Sequence, residues 1–320
     1  MKLMPLYSFL QGDLSKIEKA LEEAVQSQSS LIEESSLHLL RAGGKRIRPV
    51  FVLLSGQFGK RNSEMMKNAA VALEMIHMAS LVHDDVIDEA DVRRGRPTIK
   101  AKWDNRVAMY VGDYMFARSL DIYTLIDNPL AHKILANTMV ELVVGEIKQI
   151  EDKYRFDQHL RDYFRRIKRK TALLIAASCQ IGAIVADADP QIHQKLYRFG
   201  YYVGMAYQIT DDILDFTGTE EQLGKPAGGD LLQGNITLPV LLAIKDQAFR
   251  SKLERVHQGM DQSELQEIIS YVHTTGSIEK SWEISNRYLQ KALKVLDDLP
   301  KNRANKALRN IALYIGKRDH

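Results

Sequence analysis

The sequence predicts an all-α fold, and three observations support that prediction. Most of the 320 residues belong to segments whose apolar side chains recur every three or four positions, the period of an amphipathic helix. Alternation of apolar and polar residues, which is typical of a half-buried strand, is scarce. The breaks between the periodic segments are short and rich in turn formers, as in GKRNSE, RRGRPT, DNP, DADP and PKNRANK. We therefore expect a helical bundle.

Six segments carry the helical pattern. In chain order they are LSKIEKALEEAVQ, PVFVLLSGQFG, KNAAVALEMIHMASLVHDD, HKILANTMVELVVGEIKQIEDK, LRDYFRRIKRKTALLIAASCQIGAIVA and LYRFGYYVGMAYQITDDILDF. The long irregular stretch TGTEEQLGKPAGGDLLQGNITLP is unlike the other connections and predicts a functional loop or lid. Because no compositional shift marks a boundary, we predict a single domain over residues 1–320.

The bulk composition limits the functional classes. Hydrophobic residues make up 45% and charged residues 27% of the chain, as in a soluble globular protein. The formal net charge of +3 is too small to indicate nucleic-acid binding, so any anion specificity must be local. A single cysteine, Cys179, excludes an internal disulfide and is expected in the core. Because no segment has roughly 18 uninterrupted apolar residues, we expect a cytoplasmic protein with at most peripheral membrane contact.

An acidic cluster follows directly after an apolar helix. Within LVHDDVIDEADVRRGRP, the residues Asp84, Asp85 and Asp88 form the pattern D-D-x-x-D. On a helix, Asp84 and Asp88 lie on one face, where unpaired carboxylates repel each other. Hard oxygen ligands one turn apart suit Mg²⁺, which completes its coordination with water and substrate phosphates. A single such pattern is equally typical of a solvated surface.

The second copy of the pattern changes this interpretation. The segment YQITDDILDF repeats it with Asp211, Asp212 and Asp215, again near the end of a long apolar helix. If the two helix ends face each other, they form a clamp for several Mg²⁺ ions and one highly charged anion. A diphosphate is the natural candidate.

Cationic and polar residues support an anion site. In RAGGKRIRPV, two glycines, Lys45, Arg46 and Arg48 precede a predicted helix start, which is a favourable place for an anion. Individually, the other residues are more often surface charges or polar caps, but together they neutralise two diphosphates: Arg93, Arg94, Lys170, Thr171, Gln208 and Lys225.

At these motifs the whole chain resembles the trans-isoprenyl diphosphate synthases, also called polyprenyl synthetases. The resemblance rests on GGKRIRP, HDDVIDEADVRRGRPT, GDYMFA, GEIKQ, KTA, YQITDDILDF and GKPAGGDLLQGNITLP, in the family's order and approximate spacing. It implies antiparallel helices around a deep central cavity, the isoprenoid synthase fold, and addition of isopentenyl diphosphate to an allylic diphosphate. Within the family the chain is most similar to the larger, catalytic component of heptaprenyl-forming synthases that work with a small partner subunit.

The resemblance also implies roles for individual residues. Asp84, Asp88, Asp211 and Asp215 are expected to ligate Mg²⁺, with Asp85 and Asp212 in support. The residues expected to hold the allylic diphosphate are Arg93, Lys170, Thr171, Gln208 and Lys225. Those expected to hold isopentenyl diphosphate are Lys45, Arg48, His77 and Arg94. A lone histidine on an apolar helix is more often a core residue, so only the family pattern assigns His77, while His83 is interpreted as structural. Many family members have lysine at Asn235, so one cation is missing here.

The growing product is expected to run along the helix that precedes Asp84. Ala79 and Ser80 are small where short-chain members of the family often have an aromatic floor, so a long tail passes. Ile76 and Leu73 follow, about 12 and 16 Å from Asp84 at a rise of about 1.5 Å per residue. We predict a product longer than four isoprene units, and the resemblance favours heptaprenyl diphosphate made from farnesyl diphosphate for a quinone side chain.

Four alternatives remain open. A synthase of another chain length, or one that works as a homodimer, has the same motifs. A terpene cyclase also uses an aspartate-rich helix and Mg²⁺, but it has no use for a second diphosphate site. A non-catalytic helical partner subunit typically lacks the aspartate motifs. A metal-dependent phosphohydrolase built on His83 and Asp84 needs further histidine ligands that the sequence does not offer.

Overall fold

The computed structural model describes residues 4–60, 62–218, 227–244 and 247–317, and these residues are overwhelmingly helical. The order of the elements is a 3₁₀ helix at Met4–Leu10, α1 Gln11–Ala24, α2 Ser30–Arg41, α3 Ile47–Gly56, α4 Ser63–Ile87, β1 Val92–Arg93, β2 Arg96–Pro97, α5 Ile99–Lys102, α6 Asn105–Thr124, α7 Pro129–Glu151, α8 Leu160–Ile167, a π-helical turn at Lys168–Ala172, α9 Leu173–Ile184, α10 Pro190–Thr217, α11 Gly229–Leu232, α12 Leu238–Ala243, α13 Gln247–Leu253, α14 Gln262–Thr274, α15 Ser277–Asp297 and α16 Arg303–Gly316. The predicted all-α fold is confirmed. Within the described ranges, no helix is both long enough and apolar enough to cross a membrane.

Two compact units account for most of the internal contacts. The first contains the described residues of Met1–Leu135, Ala177–Tyr197 and Leu299–Leu308. The second contains the described residues of Ala136–Ala176, Arg198–Asp298 and Arg309–His320. The single domain over residues 1–320 and the deep central cavity remain predictions.

The first unit is organised around α4. This helix begins at an asparagine cap, because the side chain of Asn62 accepts a hydrogen bond from the backbone N–H of Met65 at 3.2 Å. Its middle is an almost unbroken apolar run, and residues from Met66 to Val82 are buried on most sides. α4 packs against α3 and α6, so it is a central helix of its unit. A rigid, buried helix therefore carries the first acidic motif at its C-terminal end.

A two-residue hairpin follows α4. Strands β1 and β2 pair antiparallel, with Val92 opposite Pro97 and Arg93 opposite Arg96. Arg94 and Gly95 form the turn with φ values of 53° and 72°, as in the two-residue turns that match strand twist. The sequence predicts a break in this segment but not its paired strands. The hairpin directs the chain back past α4, which brings Arg93 to Asp85.

The second unit has its core among α8, α10 and the helices from α11 to α15. Its buried residues include Tyr163, Ile209, Ile213, Phe249 and Val272. α12 packs against α15, α14 and α8. Part of the irregular stretch predicted as a loop or lid is described: it contains α11 and the start of α12, whereas residues 219–226 lie outside the described part.

The backbones of α9 and α3 pack closely at Gly182, so a substitution at this glycine tests the fold. A Cβ added at Gly182 would lie 2.4 Å from the carbonyl oxygen of Val52, so Gly182→Ala forces two backbones apart. We expect this change to lower the free energy of unfolding by about 1–3 kcal/mol, as other overpacking changes do. Urea denaturation measures the effect.

Gly12→Ala is the matched control for this substitution. Gly12 lies in α1, and a Cβ there has nothing within 4 Å. Alanine at this position should raise the free energy of unfolding by a few tenths to about 1 kcal/mol. Equal effects of the two substitutions would contradict the close packing of α9 on α3.

Candidate active site

The first acidic motif lies at the C-terminal end of α4, with Asp88 as the capping residue. The backbone N–H of Asp88 donates to the carbonyl oxygen of Asp84 at 2.8 Å, so the helical turn that joins them is intact. Both side chains are half-buried, and they lie four residues apart on one face. The C-terminal end of a helix already carries partial negative charge, so carboxylates here are stabilised by a cation.

Asp85 points to the interior side of the same turn. Its side chain is 4% exposed, and its Oδ1 accepts a hydrogen bond from Nε of Arg93 at 2.7 Å and lies 2.7 Å from Nη2 of the same guanidinium. Burial raises the pKa of Asp85, although the hydrogen bond from Arg93 acts in the opposite direction. Asp85 therefore holds Arg93 in place, and its support of the metal ligands stays a prediction.

The GGKRIRP loop forms the start of α3 in the same unit. Gly43 and Gly44 have φ values of 78° and 155°, which favour glycine, and the helix begins at Ile47. A Cβ at Gly44 would lie 2.6 Å from Nη1 of Arg94, so the guanidinium of Arg94 lies against this loop. Two segments that are far apart in the sequence thus meet at one place.

His77 lies within the field of the same arginines. Burial, followed by the positive charges of Arg48 and Arg94, lowers the pKa of His77 well below its ordinary value. Three of the four residues predicted to hold isopentenyl diphosphate therefore share one electrostatic environment, and the fourth, Lys45, is in the adjoining loop. Several positive charges around one side chain are a property expected of an anion site.

The second acidic motif lies near the end of α10, in the second unit. Asp212 is buried and accepts hydrogen bonds from the Tyr163 hydroxyl at 2.6 Å and from Nε2 of Gln208 at 2.9 Å. Burial, with a smaller contribution from Asp230, raises the pKa of Asp212 to about 7, although both hydrogen bonds lower it. The next carboxylate, Asp215, accepts from the backbone N–H of Asp230 at 3.2 Å.

Three residues predicted to hold the allylic diphosphate lie beside this motif. Lys170 and Thr171 belong to the π-helical turn Lys168–Ala172, a rare conformation that often occurs at functional sites. The Thr171 hydroxyl donates to Oε1 of Gln208 at 2.6 Å, and Gln208 in turn donates to Asp212. Nζ of Lys170 donates to Oε2 of Glu146 at 2.9 Å. One hydrogen-bond chain thus links Thr171 to the second aspartate motif.

The other residues singled out in the sequence lie in several different parts of the chain. Arg93 lies in the first unit, and Lys225 lies outside the described residues. The backbone N–H of Asn235 donates to the carbonyl oxygen of Asp230 at 2.8 Å. On α4, Leu73, Ile76 and Ala79 are buried and Ser80 is partly buried. The hydroxyl of Ser80 donates to the carbonyl oxygen of His77 at 2.8 Å.

Sequence reasoning missed three residues that contact predicted site residues. Tyr163 and Asp230 adjoin the second motif, and Glu146 pairs with Lys170. Glu146 and Asp230 belong to the quoted segments GEIKQ and GKPAGGDLLQGNITLP, which were the available signals. Tyr163 offered none, because its hydrogen bond to Asp212 joins residues 49 positions apart.

The donor atoms suit a hard divalent cation. Among the described residues, no three His, Cys, Asp or Glu side chains converge into a group that could hold a metal ion alone. Mg²⁺ does not need such a group, since it is usually held by one or two carboxylates together with water and substrate phosphates. The half-buried pair of Asp84 and Asp88 at a negative helix end matches that requirement.

The polyprenyl synthetase family model matches residues 29–273 of this chain. The chain belongs to the polyprenyl synthetase family. As a member of this family it is a prenyltransferase of isoprenoid biosynthesis, so the predicted reaction class is confirmed.

Similar proteins agree with this assignment. The chain is 63% identical over 320 residues to heptaprenyl diphosphate synthase component 2 of Geobacillus stearothermophilus, covering 100% of both chains. It matches the structure of heptaprenyl diphosphate synthase from Staphylococcus aureus with a TM-score of 0.94 and 42% identity, covering 97% of this chain and 99% of that one. It also matches a Caulobacter crescentus polyprenyl synthase complexed with calcium and isoprenyl diphosphate, with a TM-score of 0.95, 29% identity and coverage of 100% and 98%.

The hydrogen bond from Tyr163 to Asp212 generates a prediction for catalysis. Tyr163→Phe removes a donor to a buried carboxylate of the second motif. We expect the kcat/KM of prenyl transfer to fall about tenfold, the lower end of the range for residues that support metal-binding carboxylates. Steady-state kinetics measures the change.

Tyr123→Phe is the control for this substitution. The Tyr123 hydroxyl is also buried and donates to the carbonyl oxygen of Ala131 at 2.9 Å, within the first unit. Each variant should lose about 1 kcal/mol of unfolding free energy, but Tyr123→Phe should keep wild-type kinetics. If Tyr163→Phe also keeps them, Tyr163 supports only the fold.

Proposed function

We propose that this chain elongates farnesyl diphosphate with isopentenyl diphosphate units to all-trans heptaprenyl diphosphate, the precursor of a quinone side chain such as that of menaquinone. One observation carries the proposal: each of the two aspartate motifs is accompanied, within its own unit, by side chains suited to a diphosphate. Arg93, Arg48, His77 and Arg94 accompany the first motif. Lys170, Thr171 and Gln208 accompany the second.

We assign two different diphosphates to these residues. In the proposal, Lys45, Arg48, His77 and Arg94 hold isopentenyl diphosphate, while Arg93, Lys170, Thr171, Gln208 and Lys225 hold the allylic diphosphate. Asp84, Asp88, Asp211 and Asp215 would hold several Mg²⁺ ions. Bound Mg²⁺ supplies Lewis acidity that stabilises negative charge on the departing pyrophosphate.

The reaction itself requires little covalent chemistry from the protein. The allylic C–O bond ionises, the double bond of isopentenyl diphosphate attacks the allylic cation, and a proton passes to the released pyrophosphate. The task of the side chains is to bind both diphosphates, orient the two reacting carbons and exclude water from the cation. The buried apolar residues Leu73, Ile76 and Ala79 of α4 are the proposed wall of the product site.

A small partner subunit completes the proposal. The relative from Geobacillus stearothermophilus is named as component 2, which supports a heterodimer rather than a homodimer for this chain. The surface of α7 gives independent support, because it exposes an apolar face formed by Val140, Val143, Val144, Ile147 and Ile150. A contiguous apolar surface of this kind is typical of a protein interface. We place the complex in the cytoplasm and treat residues 1–320 as one catalytic domain.

The proposal is tested by measuring the product directly. The purified chain is incubated with farnesyl diphosphate, labelled isopentenyl diphosphate and Mg²⁺, with and without the small subunit from the same organism. We expect a heptaprenyl product only when the small subunit is present, and no product with EDTA. A cyclised hydrocarbon would instead identify a terpene cyclase, and release of phosphate alone would identify a hydrolase.

A pair of aspartate variants makes this assay specific for the proposed metal ligands. Asp88→Asn should lower incorporation about 100-fold or more, the scale on which loss of one group that stabilises developing charge acts. Asp91→Asn is the control, because Asp91 is an exposed carboxylate that pairs with Lys100 at 3.0 Å. Wild-type incorporation by Asp88→Asn would argue against this residue as a metal ligand.

The position of the product wall yields a second prediction. Ala79→Tyr places an aromatic ring on α4 five residues before Asp84, about 7.5 Å along the helix. With geranyl diphosphate supplied as the primer, the product should shorten to farnesyl or geranylgeranyl diphosphate, as judged by chromatography of the dephosphorylated alcohols. Ala79→Ser, which is nearly the same size as the wild type, should leave the product unchanged. A heptaprenyl product from Ala79→Tyr would rule out this wall.

A further inference from the structure

Arg46 lies in the middle of the GGKRIRP loop, yet its side chain is only 10% exposed. Its backbone is in the left-handed region, with φ 46° and ψ 39°, at the residue that precedes α3. This conformation is unfavourable for a residue with a Cβ, so surrounding contacts must stabilise it. Arg46 therefore differs from Lys45 before it, which is exposed.

Three helices hold the guanidinium of Arg46. Nε and Nη2 donate to the two carboxylate oxygens of Glu18 on α1, at 2.5 and 3.2 Å. Nη1 donates to Oε1 of Glu74 on α4 at 3.3 Å, and Nη2 also donates to the carbonyl oxygen of Leu40 near the end of α2 at 3.1 Å. The planar guanidinium is thus fixed in position and orientation by groups of the protein itself.

Glu74 is the unusual member of this network. It is 2% exposed in the apolar middle of α4, three residues before His77. Its second oxygen, Oε2, is buried and has no hydrogen-bond partner within the part of the chain that the structure describes. A buried carboxylate is unfavourable unless a nearby charge compensates it, and Arg46 is the cation that Glu74 contacts.

We propose that Arg46, held by Glu74 and Glu18, is a positioning residue for isopentenyl diphosphate and not a ligand of it. The inference rests on the proposed function, since it concerns the same substrate. By fixing the loop before α3, Arg46 sets the direction in which Lys45 and Arg48 extend. It also fixes the backbone of Gly44, against which the guanidinium of Arg94 lies. One buried ion-pair network thereby orders three predicted ligands before the substrate arrives.

The direction in which substrate affinity changes distinguishes this positioning role from a purely electrostatic effect. Glu74 and Glu18 are negative charges near a site for a polyanion, so removing either charge should strengthen substrate binding if only the local field matters. If the carboxylates act by holding Arg46, the same change should weaken binding. Glu74→Gln and Glu18→Gln keep the shape of the side chain and therefore separate the two effects.

The experiment compares KM values in the complete two-component enzyme. For Glu74→Gln, we expect the KM for isopentenyl diphosphate to rise about tenfold, with the KM for farnesyl diphosphate within about twofold of wild type. Arg46→Lys should behave alike, because lysine keeps the charge but lacks the planar fork. The variant that combines Glu74→Gln with Arg46→Lys should have a KM for isopentenyl diphosphate no higher than the higher of the two single variants, since both changes break the same interaction.

Controls separate positioning from loss of folding. Arg41→Lys, at an exposed arginine that ends α2, should leave both KM values unchanged. Thermal unfolding is measured for every variant, and binding of isopentenyl diphosphate is measured by calorimetry. If Glu74→Gln does not fold, Glu18→Gln provides the same test, because the side chain of Glu18 is 44% exposed.

Two results would overturn the inference. One is a lower KM for isopentenyl diphosphate in a variant that has lost Glu74 or Glu18. The other is an unchanged KM and calorimetric affinity together with a lower unfolding temperature, which would limit the network to stability. Failure of the wild-type complex to incorporate isopentenyl units, with farnesyl diphosphate supplied, would instead contradict the proposed function.

Discussion

Repulsion between like charges is the constraint on which the structure of this site depends. Each aspartate motif places three carboxylates within five residues at or near the C-terminal end of a helix, where the peptide dipoles add further negative charge. In both motifs the middle aspartate is buried and receives strong hydrogen bonds from the protein, from Arg93 to Asp85 and from Tyr163 and Gln208 to Asp212. The first and last aspartates of each motif are the proposed metal ligands, and among them Asp215 is also buried and accepts a hydrogen bond from the backbone N–H of Asp230.

The two motifs stabilise their middle aspartates with different chemical groups. Asp85 is stabilised by a full positive charge, whereas Asp212 is stabilised by neutral donors, with Asp230 as a nearby negative charge. Burial is the main reason why the pKa of Asp212 is raised to about 7, and the negative charge of Asp230 adds to this effect despite the two hydrogen bonds. The cation that stabilises Asp85 is itself a proposed ligand of the allylic diphosphate. Arg93 thus supports Asp85 and is also proposed to bind substrate, so a change at Arg93 affects both the acidic motif and substrate binding.

Anion binding in the first unit depends on a loop backbone that is already fixed before the substrate binds. Positive charges that converge on one site repel each other, and the pKa of His77 is lowered first by burial and then by these charges. Buried carboxylates such as Glu74 offset the repulsion and also hold the geometry. Lys45 and Arg48 are long side chains with many rotamers, so a fixed backbone beneath them reduces the entropy lost when they bind a diphosphate. The unfavourable backbone conformation of Arg46 is consistent with such a purpose.

The sequence by itself determined the helical class, the two aspartate motifs, the cationic loop and the family. These features are local: a helix has a period of 3.6 residues, and a D-D-x-x-D motif lies within one turn, so spacing alone places the side chains. Only the tertiary structure decided that Asp85, Asp212 and Asp215 are buried, that Arg93 turns back to Asp85, and that Tyr163 supports Asp212. It also decided that the side chain of Arg46 is only 10% exposed, although it follows the exposed Lys45 in the sequence. Such contacts join residues from 8 to 49 positions apart, and they depend on how turns and packed helices direct the chain, which no local period encodes.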